Sequence, residues 1–137
     1  MRFKNTISQK FIAKNLKYLK KGMALLTSAL KQTNQSSFIS NRMIRDHICV
    51  QLQCCCEEMI QIRKLDMEVI ESSIIYEKFH RLVCYRNDFS HEYGRMRPDD
   101  LWCAVTNLYP MIANFITEIT KLYEDPQYAD NDISPTA

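Results

Sequence analysis

Glycine and proline are scarce in this chain, two and four among 137 residues. A sheet-based fold turns often and draws heavily on both, so an all-β architecture is excluded in favour of helices. No stretch approaches the ~20 consecutive apolar residues needed to cross a bilayer. The first residues, among them Phe3, Lys4 and Asn5, lack the apolar run of a secretory leader. A soluble, cytoplasmic protein with no membrane contact is expected. Charge of one sign is also missing. The net value is +2, so nucleic-acid binding would need a local patch rather than a global field.

The six cysteines contain no Cys-x-x-Cys pair. Cys54, Cys55 and Cys56 are consecutive and would point in directions about 100° apart on a helix. Cys49, Cys84 and Cys103 are scattered. This is not zinc-ligand spacing, and reduced thiols packed as small hydrophobes are expected instead. The phosphate-loop, dinucleotide, zinc-protease and serine-hydrolase signatures G-x-x-x-x-G-K, G-x-G-x-x-G, H-E-x-x-H and G-x-S-x-G do not occur. No cofactor, metal or internal repeat is called for.

What the chain does have is helical periodicity. Leu, Ile, Met, Lys, Glu and Gln are plentiful and favour helices. Thr6 with Gln9 reads as a capping box opening the first helix. Ile12, Leu16, Leu19, Met23, Leu26 and Leu30 then form one apolar stripe. Lys10, Lys14, Lys17, Lys20 and Lys21 form a solvated face. Gly22 costs that helix about 1 kcal/mol relative to alanine. The polar residues 33–40 read as a loop, with Ser40 or Asn41 capping a second helix. Its stripe is Ile44, Ile48, Leu52, Cys55, Met59 and Ile62. Glu57 and Glu58 are expected to face water, and His47 to be a satisfied interior histidine.

Residues 63–72 suggest a break, with a short turn from Asp66 to Glu71 and Ser72 or Ser73 as the cap of a third helix. That helix is expected over residues 74–89, burying Ile75, Phe79, Leu82 and Val83, with His80 and Arg81 at the surface. Pro98 with Asp99 or Asp100 starts the last helix. Leu101, Val105, Leu108, Ile112, Phe115, Ile119 and Leu122 then recur in steps of four and three. Pro110 interrupts their hydrogen bonding and predicts a kink. The fold expected is all-α, an antiparallel bundle of four to five helices in one domain over residues 1–124. Residues 125–137 read as a polar, disordered tail.

Arginine and histidine stand close together at residues 86–93, Arg-Asn-Asp-Phe-Ser-His-Glu-Tyr. Guanidinium is a permanently charged fork that fits phosphate oxygens. Imidazole accepts and donates protons near neutrality. A step of five residues leaves Arg86 and His91 roughly 140° apart on an ideal helix. They would converge if the helix loosened or ended between them, or if a second chain completed the site. Gly94 favours the first through a left-handed exit, self-association supplies the second, and both are expected. Arg95 and Arg97, in the loop after Gly94, are placed either to hold flanking phosphates of a nucleic acid or to form an ordinary solvated loop. More ordinary roles exist: Arg86 could pair with Asp88 or Glu92, His91 could favour the helix dipole, and Tyr93 could be a partly buried aromatic.

Arg86, Asn87, His91 and Tyr93 resemble the signature of the HEPN proteins, Arg then commonly Asn then His, and more narrowly the Arg-x4-His-x-Tyr of their HepT-like toxin branch. The match has no gap, and a looser likeness covers residues 40–124. The resemblance implies an all-α, two-fold homodimer, possibly a higher oligomer, whose paired motifs face one cleft and cut RNA without metal. Arg86 and His91 would be catalytic and Asn87 supporting. It further implies a type VII toxin–antitoxin pair in which an MNT-type nucleotidyltransferase antitoxin adds AMP to the tyrosine, here Tyr93. The alternative is a non-catalytic HEPN helical dimer that binds a nucleotidyltransferase partner or a nucleotide.

Overall fold

The structure is a computed structural model that describes residues 6–65 and 76–123. Those residues form helices and no strand: α1 Thr6–Lys31, α2 Gln35–Ser40, α3 Arg42–Leu65, α4 Tyr76–Glu92, a 3-10 turn Tyr93–Arg95, and α5 Pro98–Tyr123. The all-α bundle expected from the sequence is what the chain adopts. The short turn and caps expected over residues 66–73, the start of the third long helix at residue 74 and the tail beyond residue 124 lie outside the described residues. No helix among them is long and apolar enough to cross a membrane.

The apolar stripes meet in one core. Ile12, Leu16, Leu19, Met23 and Leu26 of α1 are buried against Ile48, Leu52, Cys55, Met59 and Ile62 of α3. Leu101, Leu108, Ile112, Phe115 and Ile119 of α5 close it. α1 and α3 run antiparallel, since Asn15 Nδ2 donates to Glu58 Oε1 at 2.7 Å near one end while Leu25 and Ala29 meet Ile44 and Ile48 near the other. The lysines at 10, 14, 17, 20 and 21 face solvent. α5 continues through Pro110, and Tyr109 beside it shares a 2.5 Å hydroxyl contact with Thr27 of α1.

The stretch expected as the first loop holds α2. Asn34 accepts a hydrogen bond from the Ser37 N–H at 2.8 Å and so caps it. Apolar periodicity cannot reveal a helix this short; its one buried side chain, Phe38, decides the matter. Phe38 is wholly buried and tilts against Trp102 of α5, ring centroids 5.0 Å apart. Asn41 then caps α3 by accepting from the Ile44 N–H at 3.1 Å. Arg45 donates to the carbonyls of Phe38 and Ile39 at 3.2 and 2.8 Å, satisfying the end of α2.

Two further expectations fail. His47 is exposed, not interior, because it lies on the open side of the α1–α3 groove beside Leu25 and Met43. Glu57 and Glu58 are half-buried rather than turned to water, and both carboxylates are claimed by side chains of other helices. Of the six cysteines, Cys49, Cys55 and Cys56 are buried as expected, whereas Cys54, Cys84 and Cys103 are exposed thiols.

Candidate active site

The helix does not loosen where the two site residues needed it to. α4 runs unbroken to Glu92, so Arg86 and His91 stay on different faces, about 140° apart by helix geometry. Gly94 is no helix-ending left-handed residue either; it sits inside the 3-10 turn without a positive φ. The helix ends because Glu92 leaves helical geometry, with φ −122° and ψ 6°.

The two faces have different partners. Arg86, Ser90 and Tyr93 recur in steps of four and three and lie along α3. Arg86 Nε donates to Glu57 Oε1, and its Nη2 approaches Glu57 Oε2 at 3.4 Å. Gln53 Nε2 donates to Ser90 Oγ at 2.9 Å. Tyr93 donates its phenolic hydrogen to Asp46 Oδ1. Moving four residues back along α3 thus moves four forward along α4, which is antiparallel register. Neither Asp88 nor Glu92 pairs with Arg86; its carboxylate is Glu57, from another helix.

The second face carries His80, Cys84, Asn87 and His91, again at helical steps, and all four are exposed. The Cys84 sulfur lies 3.6 Å from His80 Nε2. His91 has no hydrogen-bond or ion-pair partner among the described residues, so its imidazole is free for an external group. Asn87 links the faces, because its Oδ1 accepts from Arg86 Nη1 at 2.8 Å. Arg95, at the end of the 3-10 turn, and Arg97, just beyond it, are exposed, loosely beside Glu92 at 3.8 Å and Asp99 at 3.6 Å respectively. Such open pairs are worth little and are easily exchanged for other anions.

Electrostatics track the burial. The Glu57 hydrogen bond raises the Arg86 pKa above its already high value, so the guanidinium is permanently charged. Burial, then the Asp46 hydrogen bond, lifts Tyr93 well above the ordinary phenol range. Burial likewise pushes the neighbouring Cys49 thiol up to about 11, against the lowering effect of its hydrogen bond to Tyr93. Tyr93 is therefore a neutral, hydrogen-bonded phenol at pH 7. The Asp46 carboxylate that accepts this hydrogen bond is in turn 3.5 Å from Arg42 Nε through its Oδ2.

Sequence reasoning named Arg86, Asn87, His91 and Tyr93 but missed Asp46, Gln53 and Glu57. Their signal was present: positions 46, 50, 53 and 57 fall on one face of α3 by the same four-three rule. Only Val50 among them is apolar, so an apolar-stripe search passes over that face. Among the described residues no cluster of metal-ligating side chains occurs.

A family model described as Ribonuclease HepT-like matches residues 19–119. Comparisons with curated proteins and with solved structures find no match. The matched span takes in all of α2, α3, the motif-bearing α4 and most of α5, and with it the chain belongs to the HepT-like ribonuclease family.

Proposed function

We propose that the chain is a metal-independent endoribonuclease toxin whose site is completed by a second copy across a two-fold axis. The observation that carries this reading is the exposure of an unpartnered His91 on the α4 face next to Asn87 and the anchored Arg86. One α4 offers a phosphate-binding guanidinium and a proton-transferring imidazole on separate faces. Two copies of α4 set against each other bring both groups, twice, to one groove, and isologous pairing is the commonest oligomer geometry.

RNA supplies its own nucleophile. His91 of one copy takes the proton of a 2′-hydroxyl, the O2′–P bond forms as the P–O5′ bond breaks, and His91 of the other copy protonates the departing O5′. Each such transfer is worth roughly 10²–10⁴-fold. Arg86 receives the charge that grows on the phosphoryl oxygens, an electrostatic contribution that is usually the largest. The products are a 2′,3′-cyclic phosphate and a 5′-hydroxyl. Arg95 and Arg97 hold phosphates to either side.

Tyr93 is the proposed point of control. A nucleotidyltransferase antitoxin of the MNT type transfers AMP from ATP to its hydroxyl, the Oη–P bond forming as pyrophosphate leaves and the phenolic proton is released. This places a phosphodiester charge and an adenosine beside the groove, where they repel RNA. Asp46 must give up the phenol for this to happen.

Incubating purified protein with RNA in excess EDTA tests the first part. Cleavage to cyclic-phosphate ends is expected, with loss of at least 100-fold in His91→Ala while its dimer and RNA affinity persist. Intact RNA would refute the ribonuclease reading and leave a helical dimer that serves as an adaptor for a nucleotidyltransferase, whereas undiminished cleavage by His91→Ala would refute the catalytic role of His91.

A further inference from the structure

We infer that Glu57, on α3, is a positioning residue for the ribonuclease reaction: it fixes the Arg86 guanidinium so that its remaining N–H groups face the scissile phosphate. This rests on the ribonuclease reading above and extends it to a residue outside the motif.

The geometry separates an orienting role from a masking one. A guanidinium has five N–H donors in a rigid plane. Glu57 engages Nε and one side of Nη2, and Asn87 takes one Nη1 hydrogen. One N–H on each terminal nitrogen remains, which suffices for a two-point grip on phosphate. A carboxylate that masked the arginine would have to occupy that outer edge. Glu57 instead holds the inner one, and its own backbone is locked between the buried Cys55, Cys56, Met59 and Ile60. An arginine side chain left free on a helix surface would sample many rotamers; gripped from both flanks, it presents one plane. Such preorganisation acts on the rate more than on the affinity. A displaced catalytic group can lower a rate by about 10²-fold, whereas the Glu57 charge next to Arg86 somewhat weakens the attraction of RNA.

The two effects therefore split. In Glu57→Gln, kcat for a short fluorescent RNA should fall about 10- to 100-fold. RNA affinity should hold or rise by up to about threefold, read by anisotropy in a His91→Ala background where the RNA survives. Glu57→Ala should lose at least as much, and Glu57→Asp, which keeps the carboxylate, should recover part of the rate. Circular dichroism and sedimentation check that fold and assembly are kept.

A second measurement does not depend on turnover. In ¹⁵N-labelled protein the Arg86 Nε–H resonance should be resolved and slow to exchange, and should merge with the other arginines in Glu57→Gln. Unchanged kcat in Glu57→Ala, faster cleavage in that variant, a rate loss matched by an equal loss of affinity, or an Arg86 resonance indifferent to Glu57 would each overturn the inference. Absence of cleavage by the wild-type chain would instead bring down the ribonuclease reading, and this inference with it.

Discussion

Tyr93 and Asp46, separated by 47 residues in sequence, are joined by a hydrogen bond from the phenol to the carboxylate. The bond ties the 3-10 turn after α4 to the first turns of α3, and it occupies the very oxygen that AMP addition would require. Removing the carboxylate frees that oxygen without removing the burial around it. In Asp46→Ala the Tyr93 pKa should therefore fall yet stay above that of an ordinary tyrosine, because burial is the largest of its causes and the neighbouring Cys49 acts in the same direction. A ¹³Cζ-tyrosine NMR titration reads this directly. A Tyr93 pKa unmoved by the substitution would mean the bond does not form in solution.

Arg95 and Arg97 offer an electrostatic prediction. Both are largely exposed, with side chains 87% and 77% accessible, so truncating either should leave stability within about 0.5 kcal/mol. If they hold RNA phosphates, each alanine substitution should lower affinity for all sequences alike. It should also reduce the slope of log K against log salt by about 0.7, the single-strand increment per phosphate contact. Anisotropy titrations at several salt concentrations check it; an unchanged slope removes both arginines from the interface.

The fold was legible because four long helices advertise their buried faces at regular steps, and those stripes are the core. What escaped were features that periodicity does not encode. α2 is too short to show a period and is set by one buried aromatic and two asparagine caps. The α3 residues that hold the motif are polar and lie off the apolar stripe. Residue spacing placed Arg86 and His91 about 140° apart on a helix, and that angle was the better guide; the expectation of a break at Gly94 gave too much weight to glycine alone.

Alkaline pH should destabilise the chain through buried thiols. Burial raises Cys49 to about 11 and Cys55 to about 12, and moves Cys56 further in the same direction. An unfolded thiol ionises near pH 8.5, so the folded state binds these protons more tightly. The stabilisation is complete below about pH 8.5 and is lost as pH rises toward the folded values, by up to about 1.4 kcal/mol per pH unit for each thiol. Urea midpoints under reducing conditions should fall steeply from pH 8.5 to 10.5. Cys56→Ala should flatten that fall even though it lowers stability at pH 7.

Gly22 supplies a packing test in which two opposing effects can be separated. In mid-helix, alanine would be favoured over glycine by about 1 kcal/mol. A Cβ built at Gly22 would, however, stand 3.0 Å from the Cys55 sulfur, which is itself buried between α1 and α3. That separation is well inside comfortable contact, and a close-packed interior yields little. Gly22→Ala alone should therefore be destabilising, by about 1–2 kcal/mol, as overpacking outweighs helix propensity. With Cys55→Ala already in place the sulfur is gone, and the same glycine substitution should stabilise by up to about 1 kcal/mol. A double-mutant cycle by urea denaturation isolates the coupling. Additive effects would mean that α1 and α3 approach less closely at this crossing than their backbones indicate.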